Sequence, residues 1–476
     1  MADTPGLGDI GDVKKRIEAR RKELTPYFEY VDGKFPLPDA SPDAQVNYNK
    51  LLDDAKLNIC RVTVDVLSER ARIQGWRPLG GNAGSEADDG AWRDWNRQRG
   101  DMFSRIAHRT AMTAKVAYAA VWDRSGDETR LSTDPVRLFT VEDPRDCIIE
   151  YADGDLRRRV WAAKLWAGGS RLTVVDRERL VVYHETRDSY GRSFWDADEE
   201  SSGEHPFRAV PFVPLFNQPT LTSEGVSDVH DVMPVQRRIN QVIWLRALAT
   251  EINSTRQKWI ANMALQQDKD GKPVPPPISA TDMLWFLEAA DGKELKTGEF
   301  GAADLRQFSQ VIEGDLQHAA MITRIPRRYL MPTGQEPSGD ALRSSESGLV
   351  AKVLERTDVW TESWAEVMTL IRGQDAPPVE PIWVDPEVYT LGEVIDAAVK
   401  KKALGVPDGQ LYEDIGYEPS QVARFPAMRA QQQLEAMLYP TQNDQAQREL
   451  DRARNRMDGN VAAAANINGD AAPAGR

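Results

Sequence analysis

The stretch VSDVHDVMPVQRRINQVIWLRALATEINSTRQKWIANM, residues 226–263, decides how the chain is read. Val235, Ile239, Val242, Leu245, Leu248, Ile252 and Trp259 recur at steps of three, four or seven, the spacing of one face of a helix. Ser227 stands where an N-cap is expected. Pro234 requires either a kink or a helix that restarts with the proline in its first turn. From Pro234 onward a continuous helix would be roughly 45 Å long at about 1.5 Å per residue. Such a rod exceeds what an ordinary domain helix needs, and its flanks require cover.

Two later patterns supply candidate neighbours. Residues 303–325 carry Leu305, Phe308, Ile312, Leu316, Met321 and Ile325 at helical spacing, and residues 341–371 carry Leu342, Leu349, Val353, Trp360, Trp364, Val367 and Ile371 at nearly heptad spacing. Between the first two, residues 264–302 are proline-rich at the start and alternate in places like short strands. The expected plan is rod, insert, returning rod, loop and long helix.

Upstream, helices are expected over 12–31, near 46–70 and over 91–119, the last interrupted at Gly100. AYAAVWD, RLFTVED, CIIEYAD, RRVWAAKLWA and RLTVVDRERLVVYHET then alternate as half-buried antiparallel strands do, and residues 200–224 read as a loop-rich bridge. After the long helix a short extended piece, PPVEPIWVDPEV, precedes two smaller helices and, beyond Pro440, a polar tail with too little apolar surface to order itself. The fold class is α+β and mainly helical.

With 476 residues, 41% hydrophobic and 28% charged, the chain has the composition of a globular protein of two or three domains. No run approaches the length of a membrane span, and the first residues lack the apolar core of a secretion signal. A formal charge of -14 lacks the basic footprint that a tight grip on nucleic acid needs.

Motifs for chemistry are weak. Gly6, Gly8 and Gly11 fit G-x-G-x-x-G, but only five residues precede them and no βαβ unit follows, so a flexible leader is the better reading. His108, His184, His205, His230 and His318 are scattered without ligand spacing. Cys60 and Cys147 sit in apolar settings and read as buried thiols. Asp268 and Asp270 begin a calcium-loop pattern that Ser279 fails to complete, and the sequon at Asn253 falls inside an expected helix. No catalytic residue, cofactor or metal site is expected.

Several pieces together resemble a known family. They are Asn47 and Tyr48; NICRVTVDVLSERARIQGW, with Asn58, Val64, Asp65, Glu69, Arg70 and Gly75; WRDWNRQR, with Trp92, Trp95 and Asn96; and AYAAVW. The order continues through VPLFNQPTLTSEGVSDVHDVMPVQRRIN, with Pro214, Asn217, Gly225, Ser227, Asp228, Gln236 and Asn240, and TRIPRRYLMPTGQEPSGDALRSSESGLVAKV. Over residues 45–430 the chain resembles the portal proteins of long-tailed bacteriophages. Ile59 departs from the aromatic that the family often shows beside the Asn, and residues 264–302 and the tail after 440 lie outside the resemblance.

The resemblance implies a ring of twelve subunits at one capsid vertex, a channel through which double-stranded DNA enters and leaves without tight or sequence-specific binding. It divides the chain into an N-terminal wing (1–225), a first stem helix (226–263), a clip (264–302), a second stem helix (303–325), a tunnel-loop region (326–340), a long kinked helix (341–374), a helical crown (375–440) and a tail (441–476). Thr333, Gly334, Gln335, Glu336, Ser338 and Asp340 would then face DNA. Trp285, Phe286 and Leu287 would dock a head-completion adaptor or the terminase large subunit, although for Trp285 itself a small local core is the better reading. Major capsid and scaffolding proteins are further implied partners, with assembly in the host cytoplasm and residence in the virion. An acidic wall would repel phosphate and let DNA slide, while ordinary solubilising charge explains the same value. A non-portal scaffolding protein or an enzyme housed in the α+β half remain the alternatives, separable by native mass and imaging.

Overall fold

Strand alternation sets the layers of the body. β2 (Val116–Asp123) turns Val116, Tyr118 and Ala120 to one side and Ala117, Ala119 and Val121 to the other. The first set packs on Cys147 and Ile149 of β4 (Cys147–Tyr151), Ala162 of β5 (Arg159–Leu165) and Val175 of β6 (Arg171–Val175). The second set joins the largest core. β2 is the middle strand of an antiparallel sheet between β3 (Arg137–Glu142) and β9 (Phe212–Phe216), and it packs face to face on an antiparallel meander of β4, β5, β6, β7 (Arg179–Arg187) and β8 (Ser193–Glu204). On the meander's far face α1 (Ile10–Val31) lays Val13 and Ile17 against Ile148, Trp161, Leu165 and Leu172. The layers are therefore helix, sheet, sheet and helices.

The computed structural model describes residues 8–36, 56–80, 88–125, 135–190, 192–221, 223–254, 304–331, 339–387, 391–417, 419–422 and 424–438, and the short pieces 258–261, 266–267, 269–270, 273–274, 283–286 and 296–299. The chain divides into one unit of Met1–Gly81 with Asp88–Tyr389 and a second of Asn82–Ala87 with Thr390–Arg476.

In the first unit the helical layer comprises α2 (Ile59–Ser68), α3 (Asp89–Arg97), α4 (Gly100–Ala114) and the 34-residue α8 (Gly339–Arg372). At its centre Trp76, Trp95, Trp360 and Trp364 are fully buried. His108 stacks on Trp360 with ring centroids 4.4 Å apart and 3° between planes. Its Nε2 accepts the Trp364 indole N–H at 2.9 Å, which leaves Nδ1 to donate to the Ala71 carbonyl at 3.1 Å. That pattern requires a neutral imidazole, and burial lowers its pKa to about 3.

The break expected at Gly100 has a steric cause: a Cβ there would lie 2.1 Å from the Trp95 ring. The helix expected to reach residue 119 stops at Ala114, because Lys115 takes a left-handed conformation and Val116 starts β2. Of the helix expected near 46–70 the described part is α2, whose N-cap Asn58 accepts from the Arg61 N–H at 2.8 Å.

The decisive stretch is shorter than its apolar period suggests. α5 (Met233–Ser254) has 22 residues, roughly 33 Å, and Pro234 occupies its first turn. Trp259 belongs instead to β10 (Lys258–Ala261), which pairs with β13 (Met283–Phe286) and β14 (Lys296–Glu299), while the two-residue strands β11 (Gln266–Gln267) and β12 (Pro273–Val274) pair with each other. Ser227 does not cap α5; its hydroxyl donates to the Thr113 carbonyl at 2.6 Å and accepts from the Val229 N–H at 3.1 Å. α5 packs principally on α6 (Leu305–Thr323), and less extensively on α2. Arg238 clamps the pair by gripping both carboxylate oxygens of Asp315, at 2.6 to 3.0 Å.

The stretch expected to be a loop-rich bridge contains β9 and the end of β8. β8 is an edge strand carrying Asp196, Asp198, Glu199, Glu200 and Glu204, charges that blunt an exposed edge. β9 tolerates Pro214 because it is an edge strand whose carbonyls bond to α8: Ser363 Oγ donates to the Pro214 oxygen at 2.8 Å and Trp360 Nε1 to the Phe216 oxygen at 2.7 Å. The extended piece after the long helix is β15 (Val379–Trp383), which pairs antiparallel with β1 (Ile73–Pro78). This pairing ties residues 379–383 to the first unit.

The second unit holds α9 (Leu391–Ala403), α10 (Asp408–Ile415), α11 (Pro419–Val422) and α12 (Phe425–Leu438). Tyr412, Tyr417 and Phe425 meet edge-on, with centroids 4.9 to 6.2 Å apart, and Lys401 pairs with Asp414 at 2.6 Å.

Candidate functional site

Two buried ionic clusters flank the link between α6 and α8. The first centres on Asp228, whose side chain is 2% exposed. Arg356 of α8 donates through Nη2 to Asp228 Oδ1 at 2.6 Å, through Nε to Asn217 Oδ1 at 2.9 Å, and through Nη1 to the Lys352 carbonyl at 2.6 Å. Lys352 reaches Asp228 Oδ1 at 3.1 Å and the carbonyl of Thr323, the last residue of α6, at 3.0 Å. A cation is thereby seated at a helix C-terminus, where the exposed carbonyls favour it. Burial alone would raise the Asp228 pKa, but Arg356 and Lys352 hold it below the usual carboxylate range. Burial lowers the Lys352 pKa, against the pull of Asp228 and with the help of Arg356.

Backbone geometry makes the cluster possible. Asn217 donates to Asp228 Oδ2 at 3.0 Å and to the Val226 carbonyl at 2.7 Å, closing a tight reversal of the chain. Gly225 sits in that reversal at φ 151, and a Cβ there would lie 2.2 Å from the Asn217 carbonyl oxygen and 2.7 Å from that of Lys115. Only glycine fits. A cleft of about 340 Å³ opens over the cluster, but Asp231 and Glu355 join Arg324 and Lys352 in its lining, so it is not selective for anions.

One turn along α5, Gln236 and Asn240 hold the chain as it enters α2. Gln236 Oε1 accepts the Ile59 N–H at 2.5 Å and Asn240 Oδ1 the Leu57 N–H at 3.0 Å, while Gln236 Nε2 donates to the Leu57 carbonyl. Asn217, Gly225, Ser227, Asp228, Gln236 and Asn240 are thus gathered where α2, α5, α6 and α8 converge.

The second cluster centres on Glu346 of α8, with a side chain 4% exposed. It takes Arg70 from the end of α2 at 3.2 and 3.3 Å, and Arg328 from α7 (Arg327–Leu330). The Tyr329 hydroxyl donates to Glu346 at 3.0 Å while accepting from Arg70 at 2.7 Å and Arg328 at 3.1 Å. Residues before and after 332–338 are therefore fastened by one carboxylate. Thr333, Gly334, Gln335, Glu336 and Ser338 lie outside the described residues, and Asp340 stands in the first turn of α8. Trp285 and Phe286 lie on β13, opposite Ile260 and Ala261, and Leu287 is outside the described residues.

Nothing in this arrangement resembles a reaction centre. Among the described residues no three or more His, Cys, Asp or Glu are placed to hold a metal ion, and no helix is long and apolar enough to cross a membrane. Both cysteines are buried, and burial raises their thiol pKa values, that of Cys60 to about 12, which makes them poor nucleophiles. Sequence reasoning does not single out Lys352, Arg356 and Glu346, because charged side chains read as solvated by type even where helical spacing puts them on the buried face of α8. The signal that points to them is indirect: Asn217 and Asp228, the partners of Lys352 and Arg356, and Arg70, a partner of Glu346, stand in the stretches that carry the family resemblance.

Comparison with known proteins agrees with those stretches. A profile of the family described as "Phage portal protein, SPP1 Gp6-like" matches residues 13–406. A "Portal protein" of Mycobacterium phage D29 is 27% identical over 444 residues, covering 87% of this chain and 88% of the relative. A "Portal protein" of Mycobacterium phage L5 is 25% identical over 451 residues, covering 87% of this chain and 88% of the relative.

Proposed function

This chain belongs to the phage portal protein family, SPP1 Gp6-like, and from that premise we propose that twelve copies close into a ring at one capsid vertex, with α5 and α6 as its stem helices. Portal proteins are structural virion components without enzymatic activity, and the role in DNA packaging follows from the family. The layered body up to β9 corresponds to the wing, 264–302 to the clip, 326–340 to the tunnel-loop region, α8 to the long helix and α9 to α12 to the crown. In this reading Thr333, Gly334, Gln335, Glu336, Ser338 and Asp340 line the channel, and Trp285, Phe286 and Leu287 belong to the surface met by a head-completion adaptor or the terminase large subunit. Major capsid and scaffolding proteins surround the ring, which assembles in the host cytoplasm.

The observation that carries the ring is the uncovered flank of the helix pair. α5 and α6 bury Ile239, Leu316 and Ala319, yet Val311, Met321 and Ile322 on α6 are 50%, 72% and 42% exposed. Apolar side chains along one helix flank mark an interface, and in a closed ring the neighbouring copy covers them. The double variant Met321→Asp/Ile322→Asp tests this. Both positions face solvent in the single chain but stand in the last turn of α6, where each added carboxylate opposes the helix dipole, so the fold should lose about 1–2 kcal/mol and persist, while native mass spectrometry should show rings replaced by monomers or small oligomers. Rings formed as readily as by the unaltered chain would show that this flank is not where subunits meet.

A further inference from the structure

We infer that Arg324 and Arg327, on the link between α6 and α8, contact the sugar–phosphate backbone of DNA, an inference that rests on the reading of the assembly as a DNA conduit. The chain as a whole is strongly acidic, at -14. The link is the opposite: RIPRR, residues 324–328, places three arginines within five positions.

The buried carboxylates nearby are already committed. Glu346 serves both Arg70 and Arg328, and Asp228 serves both Lys352 and Arg356, so each cluster retains one positive charge in excess. Arg324 and Arg327 are exposed, and among the described residues no carboxylate lies within ion-pair distance of either. Asp231 and Glu355 share the cleft with Arg324 but form no ion pair with it. With Asp231 and Glu355 set against Arg324, Arg327 and the excess of the two clusters, two positive charges in excess remain around the link of an acidic protein.

Rigidity suits these arginines to a fleeting contact. Arg324 ends α6 in a left-handed conformation at φ 57, Ile325 is buried, Pro326 fixes the next dihedral, and Tyr329 is pinned by Arg70 and Glu346. Little side-chain or backbone freedom beyond the arginines' own is given up on meeting a phosphate. The link immediately precedes residues 332–338, so in the ring it stands at the foot of the proposed channel loop. Guanidinium groups match phosphate geometry, and one short positive step in an acidic wall acts as a catch that DNA can pass.

The test is the salt dependence of binding to a short DNA duplex of random sequence, measured on the full-length protein and on Arg324→Glu/Arg327→Glu. Arg157→Glu/Arg158→Glu is the control, since both residues are exposed and the reversal changes the net charge equally. The slope of log affinity against log salt should become shallower by about 1 for each DNA phosphate that is no longer neutralised, with weaker binding at low salt, and the control should bind more tightly than the link variant. Equal slopes and affinities for the unaltered chain and the link variant would overturn the inference, as would a control that weakens as much. Imaging the same samples tests ring formation separately, so a failure of either reading is recognisable on its own.

Discussion

Asp228→Ala is expected to destabilise the protein by about 3–5 kcal/mol, because it leaves two buried cations facing each other without a counter-charge. Lys352 can relieve the strain by releasing its proton, which burial already favours. Arg356 cannot, since a guanidinium stays protonated, and it keeps only Asn217 Oδ1 and the Lys352 carbonyl as acceptors. Lys352→Met should cost less than Asp228→Ala, because Asp228 retains Arg356 and Asn217. The midpoint of urea unfolding orders the variants. An Asp228→Ala loss below about 1 kcal/mol, the range of an exposed pair, would show that the cluster is solvated and does not tie α6 to α8.

Acid is expected to act through His108. Its imidazole is neutral in the folded protein with a pKa of about 3, against an ordinary value near 6.5. A depressed folded value means that the unfolded chain binds the proton first. The contribution to stability is therefore intact above about pH 6.5 and is lost progressively as the pH falls towards 3, at up to about 1.4 kcal/mol for each pH unit. His108→Gln keeps a donor and an acceptor but removes the titration. Stability against pH should fall more steeply below pH 6 for the unaltered chain than for this variant; parallel curves would mean that His108 is protonated in the fold.

These residues show what is legible in the sequence. The stripe of Leu349, Val353, Trp360, Trp364 and Val367 on α8 is readable because a buried helix face repeats every three or four residues, and all five are fully buried. Arg356 lies in the same stripe and is not readable, since its burial depends on Asp228 and Asn217 from more than a hundred positions away. β8 is hidden because its edge position tolerates a run of acids, and β9 because Pro214 is excused by bonds from α8. The length of α5 is overestimated for a different reason. Apolar positions on helical spacing continue past Ser254, but Trp259 is taken by a sheet in which its partners, Leu284 and Gly298, lie 25 and 39 residues downstream. Periodicity reports which side chains want cover and not what supplies it. Of the two surfaces assigned from family resemblance, the fold describes the Glu346 clasp at the foot of one and the strand that carries Trp285 and Phe286 of the other.

The clusters also bear on the proposed mechanical role. Lys352 joins the end of α6 to the middle of α8, and Glu346 joins the same link to α2 and the start of α8. The helix pair and the long helix are thus joined by charged, short-range contacts.

Cryogenic imaging of the purified full-length protein tests the proposed ring most directly. Closed annuli of uniform subunit number, with an opening wide enough to admit duplex DNA and the α5–α6 pairs side by side, are the predicted result. Monomers, or open filaments without a closed ring, at every concentration would contradict it.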